Sequence, residues 1–343
     1  MFVLLVATDP RFADHDPGRR HPERPQRLAA VLAGLDDFDG GDAIRHLEPR
    51  AATRAELERV HTAAYLDQIE RVCAAGGGAL DPDTSASAGS WEAAIHAAGA
   101  GLEAVAALER GEGDAAFCAV RPPGHHALGS RAMGFCMVNN VAVTAAYLRD
   151  RGNSVLVIDW DAHHGNGTQD IFDDDADVFY ISMHEWPLYP GTGRIDEIGS
   201  GRGTGTTLNF PFPAGTTGDA YLDAIDTVVA PIAEQIRPDW VLISAGFDAH
   251  RDDPLTDMGL AAGDYGDLTA RVMSLAPKRR VITFLEGGYD LEALRTSTAA
   301  TASALVGGQL RPESATSGGP GRAVVGAVRE LRHELREGGP SGN

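Results

Sequence analysis

Lysine is almost absent from this sequence of 343 residues, in which Lys278 is the only one. Arginine supplies nearly all of the basic charge, and the 29 basic residues face 49 acidic ones, for a formal net charge of −20. Such a chain has little with which to neutralise a run of phosphates, so the composition argues against a nucleic-acid partner. The acidic excess would attract cationic substrates, although a generally solvated acidic surface is the simpler explanation.

The sequence also has few cysteines and no long apolar run. Cys73, Cys118 and Cys136 show no paired spacing, which favours reduced and mostly buried thiols over a disulfide framework. The opening MFVLLVATDP is too short for a signal peptide and lacks a basic start and a cleavage site. No segment reaches the ~18 consecutive apolar residues of a membrane span. We therefore expect a cytoplasmic protein without a membrane partner.

The sequence does contain an alternation of short apolar runs with longer alanine-rich stretches, and its length suits one large α/β domain or two ordinary ones. The predicted strands are 2–7, 115–120, 154–159, 177–182, 240–245 and 280–286, and the predicted helices are 90–108, 139–152 and 219–236. Because the strands are continuously hydrophobic, both faces of the sheet should be buried. This predicts an α/β fold with a mainly parallel sheet between helical layers.

The composition changes near residue 309, where QLRPESATSGGPG has the character of a linker. Beyond it Val324, Val325, Val328, Leu331 and Leu335 recur at helical spacing, which predicts a helix that packs back on the rest of the chain. The closing EGGPSGN should be frayed. We thus predict a main domain over 1–308, followed by a linker-like segment and a terminal helix over 309–343.

Polar residues gather where the predicted strands end. RPPGHH follows 115–120, DWDAHHGNG follows 154–158, SMHE follows 177–181, FDAHRDD follows 240–246 and EGGYD follows 280–285. In open parallel sheets the carboxyl ends of the strands share one edge, where ligand-binding and catalytic groups collect. Five clusters at one edge predict a functional site rather than five unrelated turns.

Asp161 and His163 stand two residues apart at a strand's end, so both side chains can point the same way. A carboxylate and an imidazole so placed form half of a metal site, although the same pair also occurs as a capping aspartate beside an ordinary turn histidine. Asp248, at the end of another buried strand, would supply the other half. Two oxygens and one nitrogen leave coordination positions open for water and substrate, as a catalytic zinc site requires. Because two carboxylates neutralise a divalent ion, such a site also needs a separate base.

That base would be one of the neighbours His125 and His126, unless the doubled histidine is mere loop composition. Asp159 and Asn166 flank the metal pair and would orient the two imidazoles, which fixes their tautomer and basicity. A plain strand-terminal cap is the alternative for Asp159. Tyr289 follows two glycines and would present its hydroxyl to a developing oxyanion. Its alternative is an amphipathic side chain at a domain edge.

Seven segments occur in an order that carries further information: HPERPQRL (21–28), RPPGHHA (121–127), GFCMVNNVA (134–142), IDWDAHHGNGT (158–168), YPGTG (189–193), SAGFDAHRDDPL (244–255) and EGGYD (286–290). Together they resemble the zinc-dependent histone deacetylase family, in particular its class II-like prokaryotic branch, which includes acetylpolyamine amidohydrolases. The resemblance implies the arginase–deacetylase fold, with residues 1–308 as a single catalytic domain around a parallel eight-stranded sheet. It also implies hydrolytic removal of acetyl groups from lysine side chains or related amines.

By position, the resemblance implies that one zinc ion per subunit is held by Asp161, His163 and Asp248. His126 would be the general base, His125 its electrostatic partner and Tyr289 the oxyanion donor. Asn166 stands where class I members usually carry aspartate, a departure typical of class II. His126 should therefore be less strongly polarised than His125, which would face Asp159. The family also binds a structural potassium ion, which here would use Asp159, Ser182 and the backbone carbonyls of Asp161, His163 and Met183.

The resemblance likewise implies a substrate channel. Its members would be Asp83 or Asp81, Gly134, Phe135, Tyr189, Leu255 and Gly287. Phe135 and Tyr189 would form the walls, and Tyr189 stands where phenylalanine is often found. Asp83 would hold the substrate backbone at the rim. Arg27 matches an arginine along an internal exit channel for acetate, with a surface arginine that caps a helix as the alternative.

Leu255 stands where a polyamine-selective branch of the family carries glutamate. An apolar wall there favours a broad acetyl-lysine or acetamide hydrolase, with an acetylpolyamine amidohydrolase as the alternative. Two further alternatives are an arginase-like two-manganese ureohydrolase and a non-enzymatic acyl-lysine binder. The sequence leaves open the physiological substrate, a homo-oligomeric state, and whether Zn²⁺, Fe(II) or Co(II) is the native metal.

Overall fold

The computed structural model describes residues 2–38 and 40–337. Within these ranges the strands are β1 Leu4–Ala7, β2 Ile44–Leu47, β3 Gly77–Ala79, β4 Ser85–Ser87, β5 Ala115–Cys118, β6 Val155–Asp159, β7 Val178–Glu185, β8 Thr207–Phe212, β9 Trp240–Ala245 and β10 Val281–Leu285. Eight of them form one parallel sheet in the order β2-β1-β5-β10-β9-β6-β7-β8, while β3 and β4 pair separately and antiparallel. The predicted α/β class with a parallel eight-stranded sheet is confirmed.

Helices cover both faces of this sheet. The α-helices of the described residues are α1 Gln26–Asp37, α2 Arg54–Leu57, α3 Ala63–Ala74, α4 Ser90–Glu109, α5 Asn140–Arg149, α6 Asn166–Ile171, α7 Gly218–Ala224, α8 Ala230–Ile236, α9 Ala262–Met273, α10 Leu291–Leu305 and α11 Arg322–Glu337. The predicted helix 219–236 is α7 and α8, joined by one π-helical turn over Ile225–Val229. No helix among the described residues combines the length and apolarity that crossing a bilayer requires.

All six predicted strands lie in the large sheet, whereas two other strands of this sheet were not predicted from the sequence. The missed strands β2 and β8 lie at its two edges. β2 reads IRHL, and its central Arg45 and His46 are exposed. β8 reads TLNFPF, and its Pro211 cannot donate a ladder hydrogen bond, which an edge strand tolerates. Edge strands are half-solvated, so they lack the continuous apolar run by which central strands are recognised.

The C-terminal segment packs on the main sheet and helices. The predicted terminal helix exists as α11, whose Val325 and Val328 are buried, and it packs against β8 and α7. Between α10 and α11, Glu313 accepts hydrogen bonds from His250 Nε2 at 2.7 Å, from the Arg251 guanidinium at 2.6 Å and from the Ala262 amide at 2.9 Å. The predicted frayed end lies outside the described residues from 338 onward. The division at residue 308 stays a prediction.

The sheet order brings the polar clusters to one place. β6 lies between β9 and β7, and Asp159 at its end pairs in register with Ser244 on one side and Ser182 on the other. β10 and β5 follow next to β9. The five loops singled out in the sequence therefore leave adjacent strands at the same edge, where their side chains can meet.

Candidate active site

Three buried side chains with metal-binding atoms converge beyond β6 and β9. Asp161 and His163 lie in the loop after β6 and Asp248 in the loop after β9, with ligand atoms within 4.8 Å of one another. His163 Nδ1 lies 3.2 Å from Asp161 Oδ1 and 3.0 Å from Asp248 Oδ2. The structure thus brings together the three residues that the sequence proposed as metal ligands.

The two carboxylates are oriented by backbone amides. Asp161 Oδ2 accepts a hydrogen bond from the Gly287 amide at 2.7 Å, and Asp248 Oδ1 accepts one from the Ala162 amide at 2.7 Å. Each carboxylate therefore turns its other oxygen towards His163. Bonds of about 2.0–2.1 Å to a tetrahedral ion would place its ligand atoms roughly 3.3 Å apart, so this donor set fits one divalent cation.

Two glycines allow this close packing. A Cβ added to Gly246 would collide with the Asp161 carboxylate, and one added to Gly287 would collide with the carboxylates of Asp248 and Asp161. Any side chain at these positions would push a ligand oxygen out of place. Gly246 of SAGFD and Gly287 of EGGYD are thus explained by crowding around the candidate metal centre.

The adjacent histidines His125 and His126 have different partners. His125 Nδ1 donates to Asp159 Oδ2 at 3.0 Å, and Tyr180 donates its hydroxyl to the same oxygen at 2.9 Å. His126 Nδ1 lies 2.8 Å from Asn166 Oδ1, an acceptor, so His126 carries its proton on Nδ1 and leaves Nε2 with a free lone pair. The two imidazole centroids are 4.0 Å apart.

These partners give the two imidazoles opposite charge preferences. Burial lowers the pKa of His125, but the carboxylates of Asp161 and Asp159 outweigh it and raise that pKa to about 10. Burial and the charge of His125 hold the pKa of His126 well below its usual range. His125 is therefore stable as a cation and His126 as a neutral imidazole, the form in which it can accept a proton.

Tyr289 closes the site from the loop between β10 and α10. Its side chain is buried, with its ring centroid 5.8 Å from that of Phe135 and the Arg27 guanidinium 5.0 Å from its ring. Burial raises the pKa of its phenol well above the usual value, so the hydroxyl keeps its proton and can donate a hydrogen bond. The following Asp290 caps α10, which fixes where this loop ends.

Three of the predicted substrate-channel residues, Gly134, Phe135 and Tyr189, lie beside His126 or Tyr289. The Tyr189 ring centroid is 5.3 Å from that of His126, and Tyr189 and Leu255 are both exposed, at 39% and 37%. Gly134 and Phe135 both have left-handed backbones, with φ of +56° and +67°, which costs energy at a non-glycine residue. A Cβ at Gly134 would strike the His126 ring.

Asp83, rather than Asp81, is the aspartate that contacts this turn, and its role at the rim stays a prediction. Asp83 Oδ1 accepts the Gly134 amide at 3.0 Å, and Thr84 Oγ1 accepts the Phe135 amide at 3.0 Å. His21 Nδ1 accepts the Glu23 amide, so its Nε2 donates to the Asp83 carbonyl at 3.2 Å. The sequence did not single out Thr84 and His21, whose side chains bind backbone groups of this region; the His21 ring also lies 4.6 Å from that of Phe135.

Arg27 is buried, so its alternative as a surface arginine that caps a helix is wrong. Its guanidinium donates to the carbonyls of Gly288 at 2.6 Å and Glu286 at 2.5 Å, and to Glu23 Oε1 at 3.0 Å. Arg121 makes a bidentate pair with the same Glu23, which sequence reading missed. A role of Arg27 in acetate release stays a prediction.

The residues proposed for potassium are also neighbours. Asp159 and Ser182 pair in register on β6 and β7, and Met183 follows Ser182. His184 Nε2 donates to the Gly193 carbonyl at 2.9 Å, so its Nδ1 accepts the Ser182 hydroxyl proton at 2.9 Å. The Ser182 oxygen keeps a lone pair for another partner, and the potassium site stays a prediction.

Two buried carboxylates in this region were not singled out from the sequence. Glu286 Oε2 accepts the amides of Gly124 at 2.7 Å and His125 at 3.1 Å, and burial raises its pKa to about 7. Asp253 accepts the amides of Leu255 and Tyr289. Both residues lie inside the quoted motifs, but the backbone amides that they accept cannot be read from a sequence pattern.

Comparisons with known proteins agree with this geometry. Residues 21–305 match the family model of the histone deacetylase domain. A probable deacetylase of Archaeoglobus fulgidus is 38% identical over 296 residues, which are 84% of this chain and 82% of that protein. A histone deacetylase-like amidohydrolase of Pseudomonas aeruginosa is 40% identical over 278 residues, which are 78% of this chain and 72% of that protein.

A solved structure titled "Crystal Structure of HDA15 HD domain" superimposes with a TM-score of 0.90 at 36% identity. The match covers 98% of this chain and 96% of that chain, so the fold is the arginase–deacetylase fold. The residues matched by the family model include all five strand-end loops that build the site. The chain therefore belongs to the histone deacetylase family.

Proposed function

We propose that this protein is a zinc-dependent amidohydrolase that removes acetyl groups from lysine side chains or related amines. The observation that supports this most is the convergence at one sheet edge of a metal-binding triad, a charged and a neutral histidine, and a buried tyrosine. A deacetylation needs a Lewis acid, a base and an oxyanion donor, and these groups would supply all three.

The metal ion would be held by one carboxylate oxygen from each of Asp161 and Asp248 and by one ring nitrogen of His163. When bound, the ion would supply Lewis-acid polarisation of the acetamide carbonyl and would lower the pKa of water. Zn²⁺ suits a site of three protein ligands with an open position, although Fe(II) or Co(II) can use the same donors.

His126 would act as the general base. Its neutral state and its free Nε2 lone pair let it take a proton from the attacking water, and Asn166 holds the ring in that tautomer. The protonated His126 would then give this proton to the leaving amine. His125 would stay charged throughout beside Asp159 and would add positive potential to the site.

Tyr289 would stabilise the developing negative charge on the carbonyl oxygen. Its buried phenol stays protonated, and a preorganised donor in a site with little water is worth more than the same donor in bulk water. Phe135 and Tyr189 would line the path of the substrate's methylene chain. Leu255 at the mouth adds an apolar rather than a charged contact.

Acetyl-lysine is the preferred substrate class, and N-acetylated polyamines are the second candidate. The apolar Leu255 supports the first, because it gives no charge preference for a second amine. The acidic net charge supports the second, although salt screens this attraction. The names of the relatives, a probable deacetylase and a histone deacetylase-like amidohydrolase, are compatible with both.

The alternatives from the sequence receive less support. A ureohydrolase with two manganese ions needs ligands that bridge both ions. Among the described residues, the other groups that could hold an ion are His125–Cys136–Glu286 and His250–Asp252–Glu313, and neither shares a member with the triad. A non-enzymatic acyl-lysine binder would have no use for a neutral base beside the metal.

The test is a turnover profile of the purified protein with its metal content measured in parallel. We expect one zinc per chain and hydrolysis of a fluorogenic acetyl-lysine peptide, with both lost in Asp248→Ala. Acetylputrescine and small acetamides form the comparison set. Wild-type protein that carries one zinc per chain but hydrolyses none of these amides would contradict the proposal.

A further inference from the structure

Asp253 is a buried carboxylate in the loop after β9, five residues beyond the candidate ligand Asp248, and it is 6% exposed. Its Oδ2 accepts the Tyr289 amide at 2.7 Å and its Oδ1 accepts the Leu255 amide at 3.0 Å. Among the described residues no arginine, lysine or histidine forms an ion pair with it. Burying a carboxylate costs free energy, and this one is compensated by hydrogen bonds to backbone amides.

The loop that carries Tyr289 has little conformational order of its own. Two glycines precede Tyr289, and Gly288 has a φ of +115°, in a region that other residues rarely adopt. Glycine loses more backbone entropy on ordering than any other residue, so the local sequence does not determine where Tyr289 points. Its position must be set by contacts from outside the loop.

The glycines before Tyr289 are held through their backbone groups, and the Gly287 amide donates to Asp161 Oδ2 at 2.7 Å. The Arg27 guanidinium binds the Gly288 carbonyl, and the Gly287 carbonyl accepts the Phe247 amide at 3.0 Å. Tyr289 itself is held by the Asp253 bond to its amide and by ring contacts with Phe135 and Arg27. Within the described residues its hydroxyl has no hydrogen-bond partner. Among the described residues, the Asp253 carboxylate is therefore the one hydrogen-bond partner that holds Tyr289 directly.

We propose that Asp253 is a positioning residue that holds the Tyr289 hydroxyl in register with the substrate carbonyl and the Leu255 backbone at the channel mouth. This rests on the proposed function, because it assumes that Tyr289 is the oxyanion donor. Asp253 would not touch the substrate or the metal. It would act by fixing two backbone amides from one carboxylate, so that the oxyanion donor and the mouth of the channel keep a constant spacing.

Asp253→Asn tests this with a small change of shape. Asparagine keeps one acceptor oxygen and replaces the other by an amino group, which would face an amide donor and break one of the two bonds. A misplacement of about 1 Å can cost about a hundredfold in rate, so we expect kcat to fall by roughly 10- to 100-fold with little change in KM. Zinc content should stay at the wild-type level. The matched control is Asp252→Asn, because this neighbouring carboxylate is 64% exposed and should tolerate the change.

A double variant separates positioning from a general loss of structure. If Asp253 acts through Tyr289, then adding Asp253→Asn to Tyr289→Phe should lower kcat less than twofold further, because the hydroxyl is already gone. Penalties that multiply in the double variant would overturn the proposal. So would a wild-type kcat in Asp253→Asn.

Amide hydrogen exchange of the wild-type protein provides a measurement that does not depend on a variant folding. The Tyr289 amide should exchange slowly, since a buried carboxylate accepts it, whereas exchange at the rate of an exposed loop would overturn the anchor. A wild-type rate in Tyr289→Phe would instead contradict the role of Tyr289 in the proposed function. In that case slow exchange would still establish the Asp253–Tyr289 bond, so the two failures can be told apart.

Discussion

His126 donates its Nδ1 proton to Asn166 Oδ1 over 2.8 Å, whereas its neighbour His125 donates to the carboxylate of Asp159. A neutral amide and a charged carboxylate at equivalent positions give two adjacent imidazoles different charges. The proposed mechanism uses one base and one fixed cation, and Asn166 would help to distinguish the two.

Asn166→Asp should therefore change the pH dependence of the reaction. The pKa of His126 is held well below its usual range, so the wild-type base stays neutral down to acidic pH. A carboxylate on its Nδ1 favours the protonated form and raises this pKa by about one unit or more. Protonation inactivates the base, so the acidic limb of kcat/KM should move to higher pH. The profile would be recorded from about pH 5 to pH 9, with the exposed Gln309→Glu as a control of equal charge. Unchanged limbs in both variants would show that His126 is not the base.

Removal of any of Asp161, His163 or Asp248 should abolish both metal binding and activity. Each substitution by alanine leaves only two protein ligands, too few for a catalytic zinc site. Metal content per chain, measured after dialysis, checks this independently of turnover. Asp252→Ala is the matched control, since this exposed aspartate lies in the same loop as Asp248. Full occupancy in Asp248→Ala would rule out the assigned ligand set.

Tyr289→Phe keeps the ring contacts with Phe135 and Arg27 and removes only the hydroxyl. We expect kcat to fall by about 10²–10³-fold, the usual effect of losing one oxyanion donor, with zinc content and melting temperature unchanged. Tyr147→Phe on α5 serves as the control for a lost phenol. A rate near that of the wild type would show that Tyr289 does not face the substrate carbonyl.

The buried Glu23 and its partners Arg27 and Arg121 illustrate which features the sequence predicts and which it does not. Continuous apolar runs predicted the class of fold and its central strands, and strand-end clusters predicted which residues converge at the candidate metal site, because both are local signals. Glu23, Arg121 and Asp253 were not singled out because a decisive partner of each is distant in the chain: Arg121 is 98 residues from Glu23, and Tyr289 is 36 residues from Asp253. The edge strands β2 and β8 were not predicted for a different reason: solvent on one side removes the continuous apolar run that marks a central strand.

Arg27→Ala should strongly destabilise the protein. The substitution leaves the carbonyls of Glu286 and Gly288 without their donor and removes one of the two arginines that neutralise the buried Glu23. Breaking a buried ion pair typically costs about 3–5 kcal/mol, which urea unfolding would measure. Arg24→Ala, an exposed arginine three residues earlier, should change the free energy of unfolding little. Equal stability of both variants would contradict the structural role of Arg27.

Leu255→Glu should shift substrate choice towards polyamines. Leucine presents an apolar wall, whereas a glutamate at the mouth would attract a second ammonium group. The comparison is kcat/KM for N-acetylputrescine and for an acetyl-lysine peptide, with Leu310→Glu as a control of the same exposure and charge. We expect the ratio to rise in Leu255→Glu alone. A wild-type preference for the polyamine of tenfold or more, about 1.4 kcal/mol, would make the Leu255 argument wrong.

The hydrogen bonds of Glu313 determine where the chain can be shortened. A fragment that stops at residue 308 would keep every residue proposed to contact metal or substrate, yet it would remove the acceptor of His250, two residues beyond Asp248. It would also leave the Arg251 guanidinium and the Ala262 amide without this partner, and β8 without α11. The segment between α10 and α11, despite its linker-like composition, thus stabilises the loop that carries Asp248. An expression fragment should therefore extend through α11.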